Sequence, residues 1–184
     1  MARERFLENF PERNPKNVQQ ATLCYLIRGK GKNREILLAM KKRSFGKGFW
    51  NGSGGKPKSQ ESIKKCLLRE VEEEVGVKVD PKGIKKVALL HFYFPKLKAT
   101  WDQDVHVFLI KKWHGRPKET EEMRPKWFKI ADLSYKEMWP DDPYWLPLVL
   151  NGKQVEGYFR FQENGQIGFY NIGPLFNKFK VKEG

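Results

Sequence analysis

The chain has 184 residues and a formal net charge of +14, a length that suits one domain with a sizeable core. No apolar run approaches the roughly 20 residues of a membrane helix, and the two cysteines, Cys24 and Cys66, lack metal-ligand spacing. This argues against a membrane protein and a zinc site, and points to buried free thiols in a reducing, cytoplasmic setting.

Residues 1–19 are polar, with Pro11 and Pro15, and read as an extension or loosely docked arm. The arm has arginines but also Glu4, Glu8 and Glu12 and no apolar core, unlike a signal or transit peptide. Residues 21–27 and 35–40 are β-prone runs separated by polar residues 29–33, which predicts a hairpin. A basic loop, 44–48, follows Lys41-Lys42-Arg43, and residues 49–51 form a short strand before Gly52-Ser53-Gly54-Gly55. A helix comes next. Ser59 can cap it, Gln60 and Glu61 open its first turn, and Ile63, Leu67, Val71 and Val75 make one apolar stripe. Gly76 stands where a left-handed C-terminal cap belongs. Residues 85–94 and 105–113 read as strands around a loop at 95–103, and 124–130 as a shorter strand. Residues 132–138 suit a helical turn and 143–150 a helix; 155–161 and 166–171 make a final hairpin, before a basic tail at 178–184. No internal repeat is present.

Glu70, Glu73 and Glu74 sit at i, i+3 and i+4 of the first helix and so share a face. A solvated acidic face is the simpler reading of such a run. The rest of the chain is strongly basic, however, and the glycine loop lets backbone approach a ligand. Clustered carboxylates beside a backbone carbonyl suit a hard cation such as Mg²⁺, with Mn²⁺ as a substitute. The spacing is specific: Gly55, five residues, Glu61, seven residues, then Arg69-Glu70-Val71-Glu72-Glu73-Glu74-Val75-Gly76-Val77. It matches G-x5-E-x7-R-E-U-x-E-E-x-G-U, with U apolar, at every position. On this stretch the chain resembles the Nudix hydrolases. The resemblance implies an α/β/α sandwich around a mixed β-sheet. It also implies Mg²⁺-dependent hydrolysis of a nucleoside diphosphate linked to a further moiety.

A second constellation is Met138-Trp139-Pro140-Asp141-Asp142. Composition alone favours a surface acid pair beside a half-buried anchor. Chemistry offers a sharper reading. Two close carboxyl groups share one proton, so one donates to a purine oxygen while the other accepts from a ring N–H. Trp139 then supplies a stacking face. Here the sequence is similar to the eukaryotic MutT-type oxidised purine nucleoside triphosphatases, the 8-oxo-dGTP diphosphatases. The matching stretches are Met40-Lys41-Lys42-Arg43, Phe49-Trp50-Asn51-Gly52, Asp104-Val105-His106-Val107-Phe108, Glu122-Met123-Arg124-Pro125, the Trp139 stretch itself, Tyr144-Trp145 and Gly157-Tyr158-Phe159. They cover about residues 20–170.

That resemblance implies base recognition by Asn51, Trp139, Pro140, Asp141 and Asp142, with Thr22, Phe45 and Phe92 lining the pocket. Lys41, Ser53, Gly54, Gly55 and Lys56 are expected near the substrate. Metal is expected on Glu70, Glu73, Glu74, Glu122 and the Gly54 carbonyl. Glu73 or Glu74 is the candidate to hold or deprotonate water, and Arg69 to orient the glutamates. The sequence departs from the subfamily at Ser44, where glycine is usual, and at Ser53, where an aromatic is usual. The implied divisions are an extension at 1–19, a Nudix domain at 20–172 and a basic tail at 173–184. The expected partner is a purine nucleoside triphosphate and the expected state a monomer. The charge also admits nucleic acid, though none is expected. Rival readings are another Nudix substrate (capped RNA, a dinucleoside polyphosphate or a methylated purine triphosphate) and a nucleic-acid-binding module with a vestigial box. His91, His106 and His114 are scattered; His106, within a strand, reads as structural rather than catalytic.

Overall fold

The computed structural model describes residues 10, 12–14, 16–43, 46–95 and 101–175. Ser44, Phe45 and the tail at 178–184 lie outside the described residues.

The fold is built around β1 (Gln19–Arg28). It is apolar on both faces, as a central strand must be. Cys24 and Leu26 enter one core, and Tyr25 and Ile27 the other. β2 (Glu35–Lys41) splits the same way, Leu37 and Ala39 against Ile36 and Leu38, and so does β6 (Gln103–Ile110), Phe108 and Ile110 against Val107 and Leu109. The remaining strands are β3 (Trp50–Asn51), β4 (Lys78–Val79), β5 (Ile84–Tyr93), β7 (Trp113–His114), β8 (Met123–Lys129), β9 (Val155–Phe161) and β10 (Ile167–Pro174). The large sheet runs β10-β9-β5-β6-β1-β2-β3, with β8 also on β2. It is mixed, because β1 pairs with β6 and β5 with β9 in parallel, and the other pairs are antiparallel.

One helix covers each face. Helix α1 (Ile63–Val75) buries Leu67, Val71 and Val75 against the Cys24 face, with Ile63 at the edge. Helix α2 (Asp142–Leu150) buries Trp145, Leu146, Val149 and Leu150 against the Tyr25 face. This is the expected sandwich. Gly76 ends α1 at φ 71°, donating its N–H to the Glu72 carbonyl, as its position predicted.

Five expectations are corrected. The cap of α1 is Ser62, whose hydroxyl accepts from the Lys65 N–H at 3.3 Å, not Ser59. Gln60 has φ 59°, which no helix first turn tolerates, so the helix begins later and Glu61 stays outside it. The strand read as 105–113 ends at Ile110; Trp113 instead joins β7, which pairs with β4. The arm, where described, is packed rather than loosely docked: Phe10 is 4% exposed and rests on Tyr93 and Tyr158. The helical turn read at 132–138 resolves into 3-10 turns at Ile130–Asp132 and Tyr135–Glu137.

The hairpin of β1 and β2 holds only at its closed end, through Ile27↔Ile36 and Arg28↔Glu35. Beyond it β2 turns away to pair along its length with β8. The glycine loop takes the edge of β1 thus left free. Ser53 and Cys24 exchange backbone hydrogen bonds at 2.8 and 3.0 Å, and the Thr22 N–H donates to the Gly55 carbonyl at 2.8 Å. The approach requires glycine: a Cβ on Gly54 would lie 2.0 Å from the Thr22 carbonyl oxygen.

Candidate active site

The parting of β1 and β2 opens a cleft of about 230 Å³. Its apolar walls include Leu23, Phe49, Phe92, Phe94, Phe161 and Trp139. Trp139 stacks on Phe49 at 5.4 Å and 24°. Phe49 and Asn51 are two residues apart around β3, so alternation turns both toward the cleft, while Trp50 enters the core.

Asp141 and Asp142 line the cleft and are 5% and 1% exposed. They are positioned by the start of α2, with Pro143 in its first turn. The Trp145 indole N–H donates to Asp141 Oδ2 at 2.9 Å, and the Trp139 backbone N–H to Asp142 Oδ2 at 3.0 Å. Burial pushes both carboxyls up. Asp141 reaches about 6, held back by Trp145; Asp142 goes well above the carboxylate range, because the Asp141 charge adds to its burial. The pair therefore keeps a proton near neutrality. Beside it, Asn51 Oδ1 accepts from the Tyr25 hydroxyl at 3.0 Å and the Gly52 N–H at 2.7 Å. That fixes the amide orientation and leaves the Asn51 NH₂ as a donor toward the cleft.

Of the α1 carboxylates, Glu74 reaches the cleft. Glu74 is 6% exposed, lines the cleft and accepts from the Gly54 N–H at 2.9 Å. Burial pushes it up to about 7, against the Gly54 hydrogen bond and with help from the Glu70 charge. Glu70 lies beneath Gly55, where a Cβ would come within 2.5 Å of its carboxylate. Arg69 ties the group together. It donates to Glu61 through Nε at 2.9 Å and Nη2 at 2.7 Å, and through Nη1 to Glu70 at 2.6 Å and Glu73 at 2.9 Å. The fork-on-fork contact with Arg69, with the Lys58 N–H second, holds Glu61 down at about 2.

Residues 18–149 match the model of the NUDIX domain family. The chain belongs to the Nudix family. It is 43% identical over 142 residues to the mouse oxidized purine nucleoside triphosphate hydrolase, covering 76% of this chain and 86% of that one. It is 44% identical over 132 residues to the zebrafish protein of the same name, covering 72% and 82%. Its fold is similar to the crystal structure of a MutT protein from Bacillus halodurans, with TM-score 0.72 and 23% identity, covering 86% of this chain and all (100%) of that one.

Within this Nudix domain the cleft gathers most of the residues singled out from sequence: Thr22, Lys41, Asn51, Gly54, Gly55, Lys56, Glu74, Phe92, Trp139, Asp141 and Asp142. Ser53, Pro140, Arg69, Glu70 and Glu73 do not line it; Ser53 is spent on its backbone pairing with Cys24, and Glu70 and Glu73 are joined by the Arg69 hydrogen bonds. Phe45 lies outside the described residues. Glu122 is not drawn to the other carboxylates. It is exposed and pairs with Arg43 at 2.8 Å, though its charge adds to the upward push on Glu74. Sequence reasoning missed Phe49, Phe94 and Phe161. Alternation around Asn51 and Phe92 was the available signal for the first two. His106 bonds Gln20 at 2.9 Å and lies 2.9 Å from Lys86 Nζ, a structural setting.

Among the described residues no three metal-capable side chains converge as they stand, because Arg69 holds Glu70 and Glu73 while Gly54 holds Glu74. The donor set nevertheless fits a hard divalent cation. It offers only oxygens, next to the Gly54 carbonyl, which accepts no hydrogen bond among the described residues. A cation there would also hold the desolvated Glu74 ionised.

Proposed function

We propose that this Nudix enzyme hydrolyses oxidised purine nucleoside triphosphates, of the 8-oxo-dGTP and 2-hydroxy-dATP type, to the nucleoside monophosphate and pyrophosphate. It would do so with Mg²⁺, or Mn²⁺ in its place, as a cytoplasmic monomer that cleanses the nucleotide pool. No helix of the described residues is long and apolar enough to cross a membrane. The observation that carries the substrate assignment is the buried Asp141–Asp142 pair at the floor of an aromatic cleft. The relatives named above for oxidised purine triphosphates support the same reading.

In this reading the purine stacks on Trp139 and Phe49. The protonated acid, Asp142, donates to an oxidised-purine oxygen, the ionised Asp141 accepts from a ring N–H, and the Asn51 NH₂ gives a second donor. Lys41 and Lys56 face the phosphates. Arg69 keeps Glu70 and Glu73 oriented, and Glu73 or Glu74 holds water and takes its proton. The water oxygen bonds to phosphorus as the bridging P–O bond breaks, so pyrophosphate leaves. Bound Mg²⁺, on Glu70, Glu73, Glu74 and the Gly54 carbonyl, supplies neutralisation of the developing phosphate charge and a lowered pKa for water.

A substrate panel tests the proposal: 8-oxo-dGTP, 2-hydroxy-dATP, O6-methyl-dGTP, dGTP, a dinucleoside polyphosphate and capped RNA, each with and without Mg²⁺. The expected result is the highest kcat/KM for an oxidised purine, and none without metal. Preference for capped RNA or a dinucleoside polyphosphate would replace the substrate class. Oligonucleotide binding with no turnover of any substrate would replace the enzyme reading.

A further inference from the structure

A second concavity, of about 920 Å³, shares no residue with the cleft. β1 connects them, with Thr22 in the cleft and Arg28 in the groove, about 20 Å apart at the rise of a strand. The groove is ringed by Lys30, Lys82, Lys85, Lys111 and Lys112, all exposed, and no acidic side chain among the described residues lines it. None of these lysines forms an ion pair among the described residues. The two arginines that line it are committed elsewhere: Arg28 pairs with Glu35 at 2.6 Å, and Arg34 donates to the Leu150 carbonyl at 2.7 Å. The lysines are thus the uncommitted cations of the groove.

The frame that gathers them is backbone. The Asp80 N–H donates to the Lys112 carbonyl and the Lys111 N–H to the Gly83 carbonyl, each at 3.0 Å. Gly83 lies so close to Lys112 that a Cβ would come within 2.5 Å of the lysine Cβ. Lys82, Lys111 and Lys112 are therefore held side by side despite their repulsion, which a bound polyanion relieves. The floor is apolar: Val87, Leu109 and Leu150 are core side chains beneath the rim, and the half-buried Ile84 and Trp113 supply its accessible apolar surface. An apolar floor under a cationic rim fits unpaired bases below and phosphates above. The concavity is too large for a single phosphate group, and a flat bilayer surface would not reach its floor.

We propose that this groove is a binding site for single-stranded nucleic acid, separate from nucleotide hydrolysis. Binding of a fluorescein-labelled single-stranded RNA oligonucleotide to the full chain, followed by anisotropy against salt, tests it. Five phosphate contacts predict a log–log salt slope of about −3.5. Lys82→Glu/Lys111→Glu/Lys112→Glu is expected to weaken binding at least about tenfold and leave kcat/KM for the nucleotide unchanged. Where that triple variant melts early, Lys30→Glu/Lys85→Glu, at exposed rim positions, serves instead. Binding untouched by both variants would overturn the proposal. So would competition by a non-hydrolysable nucleoside triphosphate, equal affinity for duplex, or preferential binding to phosphatidylserine vesicles. Loss of RNA binding with full nucleotide turnover supports it, and failure of the oxidised-purine panel leaves it standing.

Discussion

Trp145 donates its indole N–H to Asp141 at 2.9 Å, while the neighbouring Asp142 accepts a backbone N–H, from Trp139 at 3.0 Å. The indole favours the ionised form of Asp141 and so assigns the shared proton to Asp142. A pH signature follows. The kcat/KM ratio of 8-oxo-dGTP over dGTP is expected to fall at alkaline pH as Asp142 loses its proton. Asp142→Asn keeps a donor at every pH and should flatten that limb. Asp142→Ala leaves the purine edge unpaired, at a cost of about 1–3 kcal/mol, or roughly five- to 150-fold in affinity. An unaltered ratio and profile in both variants would reduce the acids to architecture.

The same pair makes stability depend on pH. Both folded-state pKa values are raised, so the native state binds more protons than the unfolded chain above the ordinary carboxylate range. Stability from the pair is complete below that range. It is lost as pH rises through about 6 for Asp141 and higher for Asp142. Denaturant melts across this window should show a smaller decline for Asp142→Asn than for wild type. An equal decline would contradict the shared-proton assignment.

Glu74→Gln keeps an oxygen to accept from Gly54 and removes a buried charge, so the fold should survive. An amide is a poorer ligand for Mg²⁺ than a carboxylate. Turnover is expected to fall at least about a hundredfold, or about 3 kcal/mol of transition-state stabilisation. The variant should also need more Mg²⁺ for half-maximal rate. Wild-type turnover at wild-type metal would remove Glu74 from the machinery.

How much of this was written locally in the chain can be argued from particular residues. The stripe Leu67, Val71, Val75 and its Gly76 cap are set within one helix, so periodicity finds them. The span Val155–Phe161 alternates cleanly, with Val155, Gly157, Phe159 and Phe161 buried, and was read with its true bounds. What could not be read depends on partners distant in sequence. The left-handed Gln60 precedes Glu61, whose carboxylate is bound by Arg69 eight residues on and by the Lys58 N–H; without those contacts Ser59 is an equally good cap. The short pairing of β4 with β7 joins segments with no local signal. In the site, the glutamate spacing was legible because it repeats with the helix. The aromatic wall was only half legible, because Phe161 arrives from a strand far along the chain.

Arg13 is the clearest such long-range contact. Its guanidinium donates to Asp104 at 2.5 Å and to the carbonyls of Phe92 at 3.2 Å and Gln103 at 3.5 Å, and lies 4.3 Å from the centre of the Tyr93 ring. Phe92 and Gln103 line the cleft, so the arm braces its wall. Although Asp104 is half-buried, His91 and Arg13 together hold it down at about 2. Arg13→Ala is expected to cost about 2 kcal/mol, lowering Tm by roughly 4–8 °C. It should raise KM more than it lowers kcat, because the wall moves and the glutamates do not. Arg13→Lys keeps the charge but loses the fork and should recover only part of the loss. Melting and Michaelis parameters at wild-type values would make the arm a passenger.

Gly54 and Gly55 are adjacent, yet their substitution by alanine should fail in different ways. A Cβ on Gly54 would meet the backbone of β1, at 2.0 Å from the Thr22 carbonyl oxygen and 2.7 Å from its carbon. Neither can step aside without undoing the stitching of the loop to the strand. Gly54→Ala is therefore expected to destabilise by about 3 kcal/mol or more and lower Tm by roughly 6–12 °C. A Cβ on Gly55 would meet only the Glu70 carboxylate, at 2.5 Å, the far end of a flexible side chain. Glu70 can swing away, but doing so breaks its hydrogen bond to Arg69. Gly55→Ala should melt within a few degrees of wild type, by roughly the effect of 1 kcal/mol, and still lose most of its turnover. Scanning calorimetry and kcat on the two variants decide the matter. If Gly55→Ala stays active, Glu70 does not need its present place; if Gly54→Ala melts normally, the loop is not held to β1 as described.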